Sequence, residues 1–197
     1  MQGPIIKVRN VVWGRLRSPD PNEADLHKLS REAEGASPVE PLEEPGGGLR
    51  VWLREPNGFL IEVIWGLTSL PVLPARTSLL NTGPERCRLG ELQRIEPQPC
   101  EVKRIGHAVI ATPDIEGSVA WAHRHLGLVV SDDVHAEEDP ETLLASFNRA
   151  DRGSDYVDHH SMTFAQHERR GLNHVSFEVQ DVDDLFAGHG RSRAGGH

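Results

Sequence analysis

Two stretches of this 197-residue chain, RIGHAVIATPDIEGSVA at residues 104–120 and GLNHVSFEVQDVDDLF at 171–186, pass through the same order of features. Each has a short approach, a histidine, an alternating apolar run, an aspartate and the start of a helical pattern. Such a repeat constrains the fold more than composition does, because each copy is a supersecondary unit that needs a neighbour to bury its apolar face. Period-2 alternation then fixes which side chains share a sheet face. In the second copy His174, Ser176 and Glu178 share one face, and Val175, Phe177 and Val179 the other. In the first, His107, Val109 and Ala111 oppose Ala108 and Ile110. With helices over the apolar Val/Phe side, both histidines are expected to face a common interior. Neutral imidazole is a ready ligand for divalent iron, and two His plus one carboxylate leave adjacent coordination positions open.

The repeat organises the rest of the reading. VKRIGHAVIAT is a strand, and PDIEGSVAWAHRHLGL a helix with Ile115, Val119, Ala122 and Leu126 on one face and Gly127 at the C-cap. LVVSDDVHA, ETLLASFNRAD and VDHHSMTFAQ read as three further strands, which makes residues 103–170 a βαβββ module. In the last of them His160, Met162 and Phe164 are expected on one strand face and His159 on the other. A histidine near a metal can act as general base and then general acid without being a ligand, since its pKa lies close to working pH.

Residues 1–66 run in a similar order. IIKVRNVVWGRL reads as strand, DPNEADLHKLSREAEG as a capped helix, and PGGGLRVWLREPNGFLIEVIWG as a hairpin around the turn EPNG. Pro71, Pro74, Pro84, Pro97 and Pro99 break regular structure in residues 67–102, which reads as an interdomain linker. A partial module occupies 171–197. Its ending, AGHGRSRAGGH, has no apolar periodicity, so the repeat is expected to fail there. The whole is an α+β fold of tandem βαβββ modules.

With 37% hydrophobic and 26% charged residues, the composition is that of a globular protein. The formal charge of −9 disfavours nucleic acid and anionic membrane as partners. Cys87 and Cys100 form neither a disulfide framework nor a CxxC metal motif. No apolar run approaches membrane-spanning length and the start lacks a signal-peptide core, so the cytoplasm is the default expectation.

RIGHAVI, DYVDHHSMTF and GLNHVSFEV together resemble the three histidine segments in the catalytic half of type I extradiol ring-cleaving dioxygenases. These enzymes belong to the vicinal oxygen chelate superfamily, which also holds glyoxalase I. The resemblance implies His107 and His174 as ligands to Fe(II), or Mn(II) in some members, and His160 as the acid–base residue. It implies O2 as co-substrate and a catechol-type aromatic diol as substrate. His160 would take a proton from the diol and return it as the ring opens. REPNGFLIEVIWG resembles the end of the family's non-catalytic amino-terminal domain, and the proline-rich stretch its linker.

The family's third ligand is a Glu on a late strand of the fourth module, which this sequence does not reach. The sequence therefore resembles a family member shortened at both ends, with weakened metal binding. Open edges of an incomplete sheet invite association between copies. Two alternatives stand beside this reading: a glyoxalase-like isomerase or lyase, and a non-catalytic remnant of the same fold. Glu62, in GFLIEV, occupies a place where one-domain relatives carry a metal carboxylate, although in two-domain dioxygenases that half is non-catalytic. Asp155 and Asp158 are candidates for a substitute oxygen ligand. His123, His125, His135, His167, His189 and His197 are expected to be exposed.

Overall fold

The computed structural model describes residues 5–6, 22–68, 71 and 99–195. Most of the linker segment, Cys87, His197 and all but two residues of the first expected strand lie outside them. The chain divides into two compact units, residues 1–70 with 106–175, and 71–105 with 176–197.

In the larger unit the first segment contributes β1 (Ile5–Ile6), α1 (Glu23–Glu32), β2 (Glu40–Pro41), β3 (Leu49–Arg54) and β4 (Leu60–Trp65). Asn22 opens α1 with a reciprocal capping box: its side chain accepts from Asp25 N–H while the Asp25 side chain accepts from Asn22 N–H. Both early donors of the helix are thereby satisfied. The four strands form a sheet in the order β1-β4-β3-β2, with β1 parallel to β4. β3 and β4 pair antiparallel around Glu55–Phe59, where Gly58 at φ 87° makes the turn possible.

The next elements are β5 (Val102–Thr112), α2 (Ile115–Leu126), β6 (Leu128–His135), β7 (Leu143–Ala150), β8 (Met162–Gln166) and β9 (Gly171–Val179). Asp114 caps α2 and Gly127 ends it in the left-handed conformation. The second sheet runs β6-β7-β8-β5-β9. Its first four strands repeat the first sheet's order, with β5 parallel to β8 as β1 is to β4. Two βαβββ modules therefore share one topology, and β9 adds a strand beside β5 at the sheet edge. Leu26, Leu29, Leu53, Phe59 and Ile61 of the first module join Ile110, Ile115, Leu126, Met162 and Phe164 of the second in one buried cluster.

Two expectations need correction. β8 begins at Met162, so His159 and His160 lie in the loop before the strand, not on its faces. Ser161 explains the boundary: its N–H donates to Asn148 O at 2.8 Å and its carbonyl accepts from Ala108 N–H at 3.0 Å, so ladder pairing starts there. The ending beyond Phe186 is also helical, since α3 runs Val182–Ala194. Asp181 caps it, Asp183 and Asp184 occupy its first turn, and Arg191 and Arg193 its last. This charge order suits the helix dipole and stands in for the missing apolar stripe.

In the smaller unit α3 is oriented by polar groups. Asp184, fully buried, accepts from Glu101 N–H at 2.9 Å, and the Cys100 thiol donates to the Asp184 carbonyl at 3.3 Å. Val182, Leu185 and Phe186 are left exposed, as is Phe177 of β9. The helix thus does not cover the apolar side of β9. Phe164→Ala, in the buried cluster, is expected to cost about 3–5 kcal/mol, whereas Phe177→Ala is expected to cost about 0.5 kcal/mol or less. Urea unfolding followed by tryptophan fluorescence measures both; equal losses would mean that β9 is packed as a core strand.

Candidate metal centre

His107 sits near the middle of β5 and His174 near the middle of β9, on adjacent strands. Their Nε2 atoms are 3.2 Å apart, and their ring centroids 5.3 Å. His174 Nδ1 is 2.9 Å from Asn173 Oδ1. The amide oxygen accepts only, so Nδ1 is the donor in this bond, and in the tautomer that bond selects Nε2 is the nitrogen with the lone pair. Fixing a ligand imidazole's tautomer through its other nitrogen is the usual support for metal binding. Without an ion, His107 Nε2–H can donate to that lone pair. With one, two nitrogens about 2.1 Å from a common ion at ligand angles of about 90–110° stand about 3.0–3.4 Å apart. The observed separation fits two ligands of one ion.

His160 packs against the same pair. Its centroid is 4.3 Å from that of His107 and 4.9 Å from that of Phe147. The cause is local. The backbone bonds of Ser161 tie the residue before β8 to β5 beside His107 and to β7 beside Phe147. His159 is exposed, with its Nδ1 3.1 Å from that of His160, so one ring donates to the other.

Burial lowers the pKa of His107 and neighbouring His174 lowers it further. Burial is also the leading cause for His160, followed by His107 and His159, with Asp158 pulling weakly the other way. Both rings are therefore biased toward the neutral form, the one that binds metal or takes a proton.

Among the described residues no group of three or more His, Cys, Asp or Glu side chains is arranged to hold a metal ion. Glu62 is fully buried and engaged elsewhere: Arg50 donates to its Oε1 at 3.1 Å and to Glu40 at 2.8 Å. Asp155 pairs with Arg152 at 3.4 Å. His135, His167 and His189 are exposed, but His123 and His125 are half-buried. His123 Nε2 lies 2.8 Å from Asn148 Oδ1, and His125 packs on Trp121 with ring centroids 5.4 Å apart. Both follow from α2 lying on the sheet, a contact invisible to a surface-histidine expectation. Asn173, Phe147 and Ser161 were not anticipated. Only Asn173, next to His174, had a signal in the sequence.

Protonation sets a direction for stability. The folded-state pKa values of His107 and His160 lie below the ordinary 6.5, so the unfolded chain binds more protons in the window beneath that value. Stability is then full above it and declines as pH falls through it. The metal-free chain is expected to melt at lower temperature at about pH 5.5 than at about pH 7.5, with His160→Gln flattening the dependence. A calorimetric pH series with the same slope in both proteins would contradict this.

Residues 104–196 match the Glyoxalase/Bleomycin resistance protein/Dioxygenase superfamily. Metapyrocatechase 2 of Cupriavidus necator is 28% identical over 162 residues, which cover 80% of this chain and 46% of that protein. Among solved structures, a Mn(II)-bound glyoxalase from Novosphingobium aromaticivorans is 26% identical with a TM-score of 0.60, over 89% of this chain and 49% of that one. The 2,3-dioxygenase LapB from Pseudomonas sp. KL28 has 20% identity and a TM-score of 0.60, over 88% of this chain and 57% of that one. This chain thus spans about half the length of these relatives. The match to the Glyoxalase/Bleomycin resistance protein/Dioxygenase superfamily thus falls on residues 104–196, which hold the second βαβββ module and the strand and helix that follow it.

Proposed function

We propose that this chain carries the two-histidine part of an extradiol dioxygenase site, in which His107 and His174 bind Fe(II), or Mn(II), and His160 serves as acid–base residue. The observation that carries the proposal is the 3.2 Å approach of the His107 and His174 Nε2 atoms with the His160 ring packed at a tilt against His107. A bound divalent ion would lower the pKa of a catechol's hydroxyls and bring diol and O2 together. The chain's own groups do the rest. Asn173 orients His174, and burial and neighbouring His107 bias the His160 ring toward its neutral form beside the pair, ready to accept a diol proton at nitrogen. His159, exposed and bonded to His160, gives that proton a way to water.

The remaining coordination positions fall to substrate, water or a ligand from outside the described residues. Two histidines alone hold an ion more weakly than a three-ligand set, so catalysis by the isolated chain is expected to be impaired. In this reading residues 1–66 are a module of non-catalytic type, 67–102 a linker, and 103–170 and 171–197 the catalytic-type modules. The partner is a small aromatic diol. The likeness to a Mn(II)-bound glyoxalase supports a second reading, a metal-dependent isomerase on the same ligands. The His160 ring beside the pair favours ring cleavage. No helix among the described residues is long and apolar enough to cross a membrane.

Metal content after anaerobic reconstitution tests the proposal. Iron above the background of His107→Ala and His174→Ala is expected, and its absence would remove the reading. In the loaded protein, His160→Gln is expected to retain metal while slowing catechol loss and O2 uptake by about 10²–10⁴-fold. A metal-loaded chain that leaves catechols intact but isomerises a thiol–2-oxoaldehyde adduct would select the second reading.

A further inference from the structure

β9 is an edge strand with little apolar anchorage. Leu172 and Phe177 are about half exposed at 48% and 54%, and His174 itself is exposed. What holds its start is polar and comes from a distant part of the chain. Arg170, the residue before β9, donates from Nη1 to the backbone carbonyl of Asn57 at 2.7 Å. Asn57 lies in the β3–β4 turn of the first module. Gly58 follows it, and a side chain there would overlap the Arg170 guanidinium. The absence of a side chain at Gly58, which the positive φ of the turn also requires, leaves room for this arginine.

The same turn grips the other histidine strand. Glu55, buried at 1% exposure, accepts from Asn57 N–H at 2.7 Å and from the Ser118 hydroxyl at 2.5 Å. Ser118 on α2 in turn bonds Thr112, the last residue of β5, at 3.0 Å. Asn57 closes the network by donating from Nδ2 to Glu55 at 3.0 Å and to Ser118 at 3.0 Å. One rigid hairpin turn thus ties the end of the strand bearing His107 and the start of the strand bearing His174.

We propose that Arg170 is a positioning residue for the His107–His174 pair, holding β9 to the Glu55–Gly58 turn so that the two imidazoles keep ligand spacing. This deepens the proposed metal site and rests on it only for the metal arm of the test. Four proteins are compared: the parent chain, Arg170→Ala, Arg170→Lys, and Arg169→Ala as the adjacent control. Imidazole ¹⁵N NMR of the metal-free chains reads the environment of His174, and Mn(II) titration followed by EPR reads affinity.

Arg170→Ala is expected to shift or broaden the His174 nitrogen signals and to weaken Mn(II) binding by about tenfold or more. Its melting temperature should stay close to that of the parent, because Arg170 is exposed. Lysine can still donate to the Asn57 carbonyl and should restore part of both signals, while Arg169→Ala should leave them unchanged. Unaltered His174 signals in Arg170→Ala would overturn the proposal, as would equal losses in Arg169→Ala. A parent chain that binds no Mn(II) would sink the metal reading instead, and the NMR comparison would still decide the role of Arg170.

Discussion

Adjacency of β5 and β9 in one sheet is the constraint on which the rest depends. Each strand carries its histidine on a backbone whose side chains alternate, so pairing fixes both faces at once. A slip of one residue on either strand would turn its imidazole to the opposite face and separate the nitrogens that now lie 3.2 Å apart. Neighbouring strands are about 4.8 Å apart, close enough for two ring nitrogens to meet over the sheet without help from a loop. The repeat is what makes this possible: the same strand–helix unit, used twice, delivers the same residue type to the same place in each copy.

Bringing rings together has an electrostatic consequence. Water no longer fully solvates the imidazoles of His107 and His160, and a proton on one disfavours a proton on the other. His107 and His160 are thus biased toward neutral rings carrying lone pairs. In the proposed site, binding of an ion between neutral nitrogens and the lowered proton affinity would be two results of one arrangement.

Much of this was legible in the sequence, for reasons that can be named. Asn22, Asp114 and Gly127 are helix-end residues, and α1 and α2 begin and end at them. EPNG demanded a turn, and the alternation in RIGHAVIAT and GLNHVSFEV set which residues share a face. VDHHSMTF alternates as a strand does and so places His160 on one, but alternation does not say where pairing begins. That depends on Ser161 meeting Asn148 and Ala108, far away in the chain. α3 was cut short because its second half lacks an apolar face, while the capping aspartate and the terminal arginines carried the helix onward. The Arg170–Asn57 bond spans 113 positions, and nothing local to either residue announces it.

The two histidine strands are secured in different ways, and the difference bears on how a site here behaves. β5 is gripped over its second half, beyond His107: Val109, Ile110, Ala111 and Thr112 are all buried, and β8 pairs with Ala108–Thr112. β9 has no such burial at Phe177, and the exposed Val182, Leu185 and Phe186 of α3 add none. Full burial of side chains of this kind is worth about 1.5–3 kcal/mol each, so the second strand forgoes much of the stabilisation that a core strand receives. Polar anchors such as Arg170 at its start and Glu178 near its end, which receives Arg104 at 2.6 Å, take a larger share. Hydrogen bonds fix direction more sharply than apolar contact does, but the net contribution of each is only about 1 kcal/mol. The His107 side is therefore the preformed half of the pair. The His174 side can be ordered further by anything that binds both nitrogens, so binding there would tighten the edge of the sheet as well as fill the site.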